Sequence, residues 1–385
     1  MRTNSIQLPV IPIVNELIKN NPNTISLGQG VVFYSPPEEV FNHINNFHKN
    51  PHNNLYQSVL GIPALLTEIK HKLAIDNNIL VQDDRTSIFV TAGSNMAFMN
   101  SILALSDPED EIIILSPYYF NHEMAIRLAN CTPIIVETDH EYQPNINNIL
   151  KAITAKTKAI VTISPNNPTG VIYSREDLLT INNICREKGI YHISDEAYEY
   201  FTYNNVKHYS PASFPHSDNH TISLFSLSKA YGFASWRIGY MVIPKHLEMA
   251  VKKVQDTILI CPPVISQYAG LGALKIGINY CKKYLLEISK VREKMLDSLS
   301  NIKDICQVSN SDGAFYFFLK IDTKINSFDL TKKLIENYQV AVIPGTTFGI
   351  EDKCCLRVAY GSLNYETAEI GINRLVEGLS ELIRE

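Results

Sequence analysis

Between Ile88 and Ile243 about seven short β-rich runs, at 87–91, 111–115, 133–136, 158–163, 189–194, 221–224 and 239–243, alternate with helical patterns. Strand, helix and strand in steady succession require crossover connections, so the runs are expected to form a mostly parallel sheet covered by helices on both faces. Helical patterns are expected at 11–19, 63–74, 96–105, 146–152, 176–187, 328–337 and 365–383, and a long one at 266–300; a further strand is expected at 313–319, and Ser327 as the cap of 328–337. At 385 residues the chain exceeds the size at which one core stops growing. The fold class expected is therefore α/β: a large domain with a mostly parallel seven-stranded sheet, and a smaller α+β domain built from both termini. The boundaries expected are 46–282 for the large domain and 1–45 with 283–385 for the small one, the second crossing point lying inside the long helical region.

Composition excludes several functions. Hydrophobic residues make up 45% and charged residues 19%, and the formal charge of −5 with a pI near 6.1 offers no basic field for nucleic acid. The first seven residues lack an apolar leader core, and no run approaches the ~18 apolar residues of a membrane span. A soluble, cytoplasmic protein without a membrane partner is expected. The seven cysteines are odd in number and scattered, Cys354 and Cys355 are neighbours, and no C-x-x-C occurs. Reduced thiols and no metal site follow. A dinucleotide fingerprint of the G-x-G-x-x-G type is absent as well.

Chemistry concentrates where strands end. Ser226-Leu227-Ser228-Lys229 sets a lysine beside two hydroxyls, with Arg237 eight residues on and Gly232 and Gly239 flanking. That spacing suits a lysine that bonds a cofactor while hydroxyls and a guanidinium hold a phosphate. Gly93-Ser94-Asn95 joins a strand to a helix start, where free N–H groups and the helix dipole attract an anion; Ser94 as a plain helix cap is the alternative. Asn166-Asn167-Pro168-Thr169-Gly170 forms a rigid turn that points the Asn167 amide into a cleft. Asp195 ends the next strand, with Tyr198 three residues later; a capping Asp is its other reading. Arg357, in an apolar strand after the loop 344–349, must find an anion, either a ligand carboxylate or an internal salt bridge.

The order of these motifs resembles the class I/II aminotransferases, fold-type-I enzymes that use pyridoxal 5'-phosphate. The resemblance extends over nearly the whole chain. It implies that Lys229 bonds the cofactor as a Schiff base and moves protons, that Asp195 pairs with the pyridinium nitrogen, and that Asn167 and Tyr198 hydrogen-bond the phenolic oxygen. Tyr119 would stack on the ring, near His122, for which a satisfied polar side chain is the other reading. Gly93, Ser94, Asn95, Ser226, Ser228 and Arg237 would hold the phosphate, together with Tyr56 of a neighbouring subunit, which implies a homodimer. Gly30, in Leu27-Gly28-Gln29-Gly30, would offer its backbone N–H to the substrate carboxylate, and Arg357 would clamp that carboxylate with Asn167 close by. The activity implied is ping-pong transfer of an amino group from an α-amino acid to a 2-oxo acid. The L-G-Q-G run is nearest the kynurenine, glutamine and methionine branch, which favours a neutral or aromatic donor over the aspartate branch. A C–S β-lyase or an aminocyclopropane-carboxylate-synthase-like enzyme is the alternative; the lyases typically lack an arginine placed as Arg237 is.

Overall fold

The strands that order the molecule are apolar on both faces, and this forces them inside. In the computed structural model, which describes residues 2–384, seven of them form one sheet in the order Thr86–Thr91, Gly239–Pro244, Thr221–Ser226, Tyr191–Asp195, Thr157–Ile163, Glu111–Ser116, Thr132–Glu137. All neighbours run parallel except Gly239–Pro244, which is antiparallel to both of its partners. Along Glu111–Ser116, Ile112 and Ile114 enter one buried cluster while Ile113 and Leu115 enter another on the opposite face. The edge strand Thr132–Glu137 instead alternates exposed and buried positions, and its Pro133 is tolerated because an edge leaves N–H groups unneeded. The helix Arg175–Lys188 shows how local signals set the ends: Ser174 accepts from Asp177 N, and Gly189 at φ 67 closes it.

A second, antiparallel sheet joins Ile343–Pro344, Cys354–Ala359, Tyr316–Ile321 and Cys306–Val308 in that order. The N-terminal segment reaches this part through the parallel pair Ile25–Ser26 with Val340–Ala341. Leu27 N also donates to Ala341 O, and Ala359 N to Leu27 O.

The structure corrects several local expectations. The helical region 266–300 is two helices, Val264–Ile276 and Asn279–Ser300, broken where Gly277 takes φ 71. The strand expected at 313–319 starts only at Tyr316, because Ala314 turns at φ 53 and Gly313 bridges to Thr202. Asn326, not Ser327, caps the helix Ser327–Tyr338, its side chain accepting from Phe328 N. Helices Glu39–His48 and Glu248–Ile258 and strand Cys306–Val308 were not foreseen. All seven cysteines are free thiols. Among the described residues no helix is long and apolar enough to cross a membrane.

Candidate active site

Parallel strands deliver their carboxyl ends to one edge of the sheet, and that edge is where the polar residues collect. Tyr191–Asp195 ends in Asp195, Thr157–Ile163 runs into the turn bearing Asn167, and Thr221–Ser226 runs straight into the short helix Leu227–Ala230 that carries Lys229. Ser226 caps that helix by accepting from Ser228 N at 3.2 Å. Gly239–Pro244 runs the other way, so its start, with Arg237 just before it, reaches the same edge. The register sets Gly239 beside the helix start of Ser94–Leu105: a Cβ on Gly239 would lie 3.0 Å from Ser94 N.

One cavity opens there. Its inner wall is Asp195, Asn167, Tyr198, Ile163 and Ala197, and its rim is Ser94, Asn95, Tyr119, Ser226, Ser228 and Arg237, with Lys229 between the two. Asp195 is 4% exposed; its Oδ1 accepts from Ala197 N at 3.1 Å and its Oδ2 lies 3.1 Å from His122 Nε2. His122 is in turn stacked on Phe98 at 3.9 Å. Arg357 Nη1 donates to Asn167 Oδ1 and Nη2 to Gly28 O, both at 2.8 Å, and the guanidinium lies over Tyr316 at 4.6 Å and Phe348 at 5.0 Å. Tyr198 and Tyr316 share a hydroxyl contact of 2.7 Å, while Asn167 Nδ2 donates to Tyr198 OH at 3.5 Å. Burial raises both phenols above the ordinary tyrosine range, so they stay neutral.

Lys229 Nζ donates to Gly30 O at 2.5 Å. Burial, then the positive charges of Arg357 and Arg237, push its amine down to about 8, with Asp195 pulling the other way. On the rim, Arg237 sits at φ 51 and its guanidinium donates to Ala234 O at 2.9 Å and Ala92 O at 3.3 Å. Gly93 is required here twice over: it takes φ 80, and a Cβ on it would come 2.4 Å from Arg237 Nη2. Tyr119 OH donates to Asn95 Oδ1 at 3.4 Å and accepts from Asn121 Nδ2 at 2.8 Å.

The structure therefore gathers Lys229, Asp195, Tyr198, Asn167, Tyr119, Ser94, Asn95, Ser226, Ser228 and Arg237 around one space, with Gly93, Arg357 and Gly30 adjoining. Gly30 meets Lys229 through its carbonyl rather than its N–H. Tyr56 is not gathered: it is 82% exposed in this chain. Several alternative readings fall. Gly93, not Ser94, holds the cap position of the helix Ser94–Leu105. Asp195 precedes a turn rather than a helix. Arg357 has no carboxylate within ion-pair reach among the described residues, so an internal salt bridge does not hold it. Sequence reasoning missed Tyr316, whose hydroxyl and ring join Tyr198 to Arg357. The one signal was its place in an apolar run two residues before the register partner of Arg357, Phe318.

The fold and this edge define an α/β enzyme of fold type I, with the amine of half-buried Lys229 in one cavity with a buried carboxylate. The family model described as aminotransferase class I and II matches residues 22–375, and the chain belongs to that family. It is an aminotransferase acting on amino and oxo acids, and its family uses pyridoxal phosphate. An aromatic aminotransferase of Arabidopsis thaliana is 30% identical over 99% of this chain and 96% of its own. Among solved structures, an aspartate aminotransferase mutant of Thermus thermophilus matches with a TM-score of 0.90 at 28% identity, covering 98% of each chain. An alanine aminotransferase of Pyrococcus furiosus matches with a TM-score of 0.90 at 29% identity over 99% of each.

Proposed function

We propose that this aminotransferase holds pyridoxal 5'-phosphate in the cavity between Asp195, Lys229 and Arg237, and transfers an amino group from a neutral or aromatic α-amino acid to a 2-oxo acid by a ping-pong route. The observation that carries the reading is Lys229: an amine lowered to about 8, in one space with a 4% exposed carboxylate and a phosphate-type donor set. The residues fit the group. Arg237, the hydroxyls of Ser226 and Ser228 and the helix start at Ser94 and Asn95 offer cationic and neutral donors to a phosphate, and Gly93 leaves room for the guanidinium. Buried Asp195 is met by Ala197 N and the His122 ring, and a protonated ring nitrogen would give it a cationic partner. Arg357 Nε is buried with no partner among the described residues, which suits an incoming carboxylate.

When bound, pyridoxal phosphate supplies an aldehyde carbon that takes an amine and a ring that accepts electrons from a substrate carbon. Lys229 would hold the cofactor through its amine and, with a donor bound, would carry a proton between the substrate Cα and the aldehyde carbon; an amine near 8 is partly unprotonated at neutral pH, as a base requires. Asp195, held in place by Ala197 N and His122, would keep the ring nitrogen protonated. Asn167 and Tyr198 would hold the phenolic oxygen, and Tyr119 would pack on the ring. Arg357 fixes the substrate carboxylate, with Asn167 and Gly30 beside it. The relatives' names span aromatic, aspartate and alanine, so the choice of donor rests on this chain. Within one chain the cations at the cavity among the described residues are Lys229, Arg237 and Arg357, each with a task already, and this supports a donor without a second carboxylate.

The same reading makes the enzyme a homodimer in the cytoplasm, with exposed Tyr56 completing the neighbour's phosphate site and seven free thiols suited to a reducing compartment. It divides the chain into a large domain, 46–282, and a small one, 1–45 with 283–385, of which Met1 and Glu385 lie outside the described residues. A half-reaction tests it: an amino donor added without acceptor should convert the cofactor stoichiometrically to pyridoxamine phosphate, seen by absorbance, with aromatic and neutral donors faster than aspartate. Continuous release of ammonia and oxo acid, or of a cyclic product, with the cofactor unchanged would establish the lyase or synthase reading instead.

A further inference from the structure

The helix that carries Lys229, Leu227–Ala230, has four residues and cannot satisfy its own last carbonyls. Tyr34 meets them from far away in the chain: its hydroxyl donates toward Lys229 O at 3.1 Å and Ala230 O at 3.2 Å. Cys281 Sγ, in the first turn of Asn279–Ser300, lies 3.7 Å from the Tyr34 hydroxyl oxygen. Tyr34 is 7% exposed, and burial holds its phenol far above the ordinary range, so it is a neutral donor at any working pH.

The ring is fixed as firmly as the hydroxyl. It stacks on Tyr284 at 4.1 Å with 10° between planes and meets Phe33 and Tyr280 edge-on. Tyr280 OH donates to Ser35 O at 2.5 Å, tying the same helix to the next residue of the N-terminal arm, residues 27–35. Just past the lysine helix, Gly232 takes φ 68, and a Cβ there would lie 2.6 Å from Tyr34 O, so a glycine is needed for so close an approach. Gly30, on the same arm, accepts from Lys229 Nζ. The arm thus holds Lys229 at both ends, amine and main chain.

We propose that Tyr34 is a positioning residue for Lys229: its hydroxyl pins the end of the lysine helix to the arm and to Asn279–Ser300, so that the amine stays at one place in the cavity. The proposal rests on the reading of Lys229 as the reactive amine. Tyr34→Phe keeps the ring and its stack and removes one donor. In the cofactor-loaded enzyme, the amides of Tyr231 and Gly232, which donate to Leu227 O and Lys229 O, should exchange with solvent about tenfold faster, the size expected for one lost hydrogen bond. Amides of Glu111–Ser116 should not change. The catalytic rate should fall by a similar factor while the donor KM stays within about twofold, because Arg357 is untouched. Tyr284→Leu, which removes the stack and leaves the hydroxyl, should speed the same two amides by less. Borohydride reduction and peptide mapping run alongside. Unchanged exchange at both amides in both variants, with the label on Lys229, overturns the role of Tyr34 alone. A label on another lysine overturns the reading of Lys229, and the role of Tyr34 with it.

Discussion

The wall around Arg357 and the rim around Arg237 serve one cavity but are built by different means. Arg357 is 3% exposed and is held by the Asn167 side chain, the Gly28 carbonyl and the faces of Tyr316 and Phe348. Arg237 is exposed, and its hydrogen bonds go to the main-chain carbonyls of Ala234 and Ala92. A buried guanidinium persists only with partners, and on the wall one of them is the site residue Asn167, so substitutions there should couple. On the rim the arginine is placed by backbone conformation, φ 51 at Arg237 and φ 80 at Gly93, and substitutions should act more independently.

The largest effect should come from the floor of the wall. Asp195→Asn should lower turnover by roughly 10²- to 10³-fold while the protein keeps its cofactor, since the phosphate donors lie on the rim. Near-normal turnover with the cofactor spectrum intact would reduce Asp195 to a turn former bonded to Ala197 N.

Arg357→Ala comes next. It should weaken donor binding by about 2 to 3 kcal/mol, the worth of a charge-assisted contact, read as a rise in donor KM. Combined with Asn167→Ala, the losses should fall short of their sum, because the two side chains share a 2.8 Å hydrogen bond. Strict additivity would dissolve the idea of an interlocked wall.

On the rim, Arg237→Ala should weaken cofactor retention by only about 1 kcal/mol, because an exposed charge is screened, and the gap from the parent should narrow as salt rises. Gly93→Ala should do at least as much harm, although it removes no charge, since its methyl occupies the guanidinium's place. A harmless Gly93→Ala would mean that the rim is not set by backbone.

The smallest effect sharpens the comparison directly. In cofactor-free protein the Lys229 amine should titrate near about 8, followed by pH-dependent acylation and peptide mapping. The folded value lies below the ordinary 10.5, so the folded chain binds fewer protons than the unfolded one between those limits, and stability should be lost as pH falls from 10.5 to 8. Arg357→Ala should raise the amine more than Arg237→Ala does, as Arg357 exerts the larger of the two charge effects. The reverse order would place the rim arginine nearer the amine than the wall arginine.

Much of this was legible in the chain itself. Seven apolar β-runs separated by helix-length intervals can bury their faces in few ways, so the sheet followed from pattern. The lysine run, the Asn167 turn, Asp195 at a strand end and the glycine before Ser94 are local signals, each readable within a few residues. Errors came where local signals compete: Asn326 and Ser327 are both fair caps, and the break at Gly277 looks like a tolerated glycine until the backbone is seen at φ 71.

By itself, then, the sequence determined the layered fold, the lysine and the residues brought to the carboxyl edge of the sheet, because periodicity and turn chemistry act over short distances. Tertiary structure alone decided that Tyr316 bridges Tyr198 and Arg357, that Gly30 turns its carbonyl to Lys229, and that Tyr34 holds the lysine helix from the other end of the chain. Those contacts join residues from 41 to 199 positions apart. A hydroxyl in an apolar run carries no mark of the partner it will meet, because that partner is set by the docking of separate elements rather than by its neighbours in the chain.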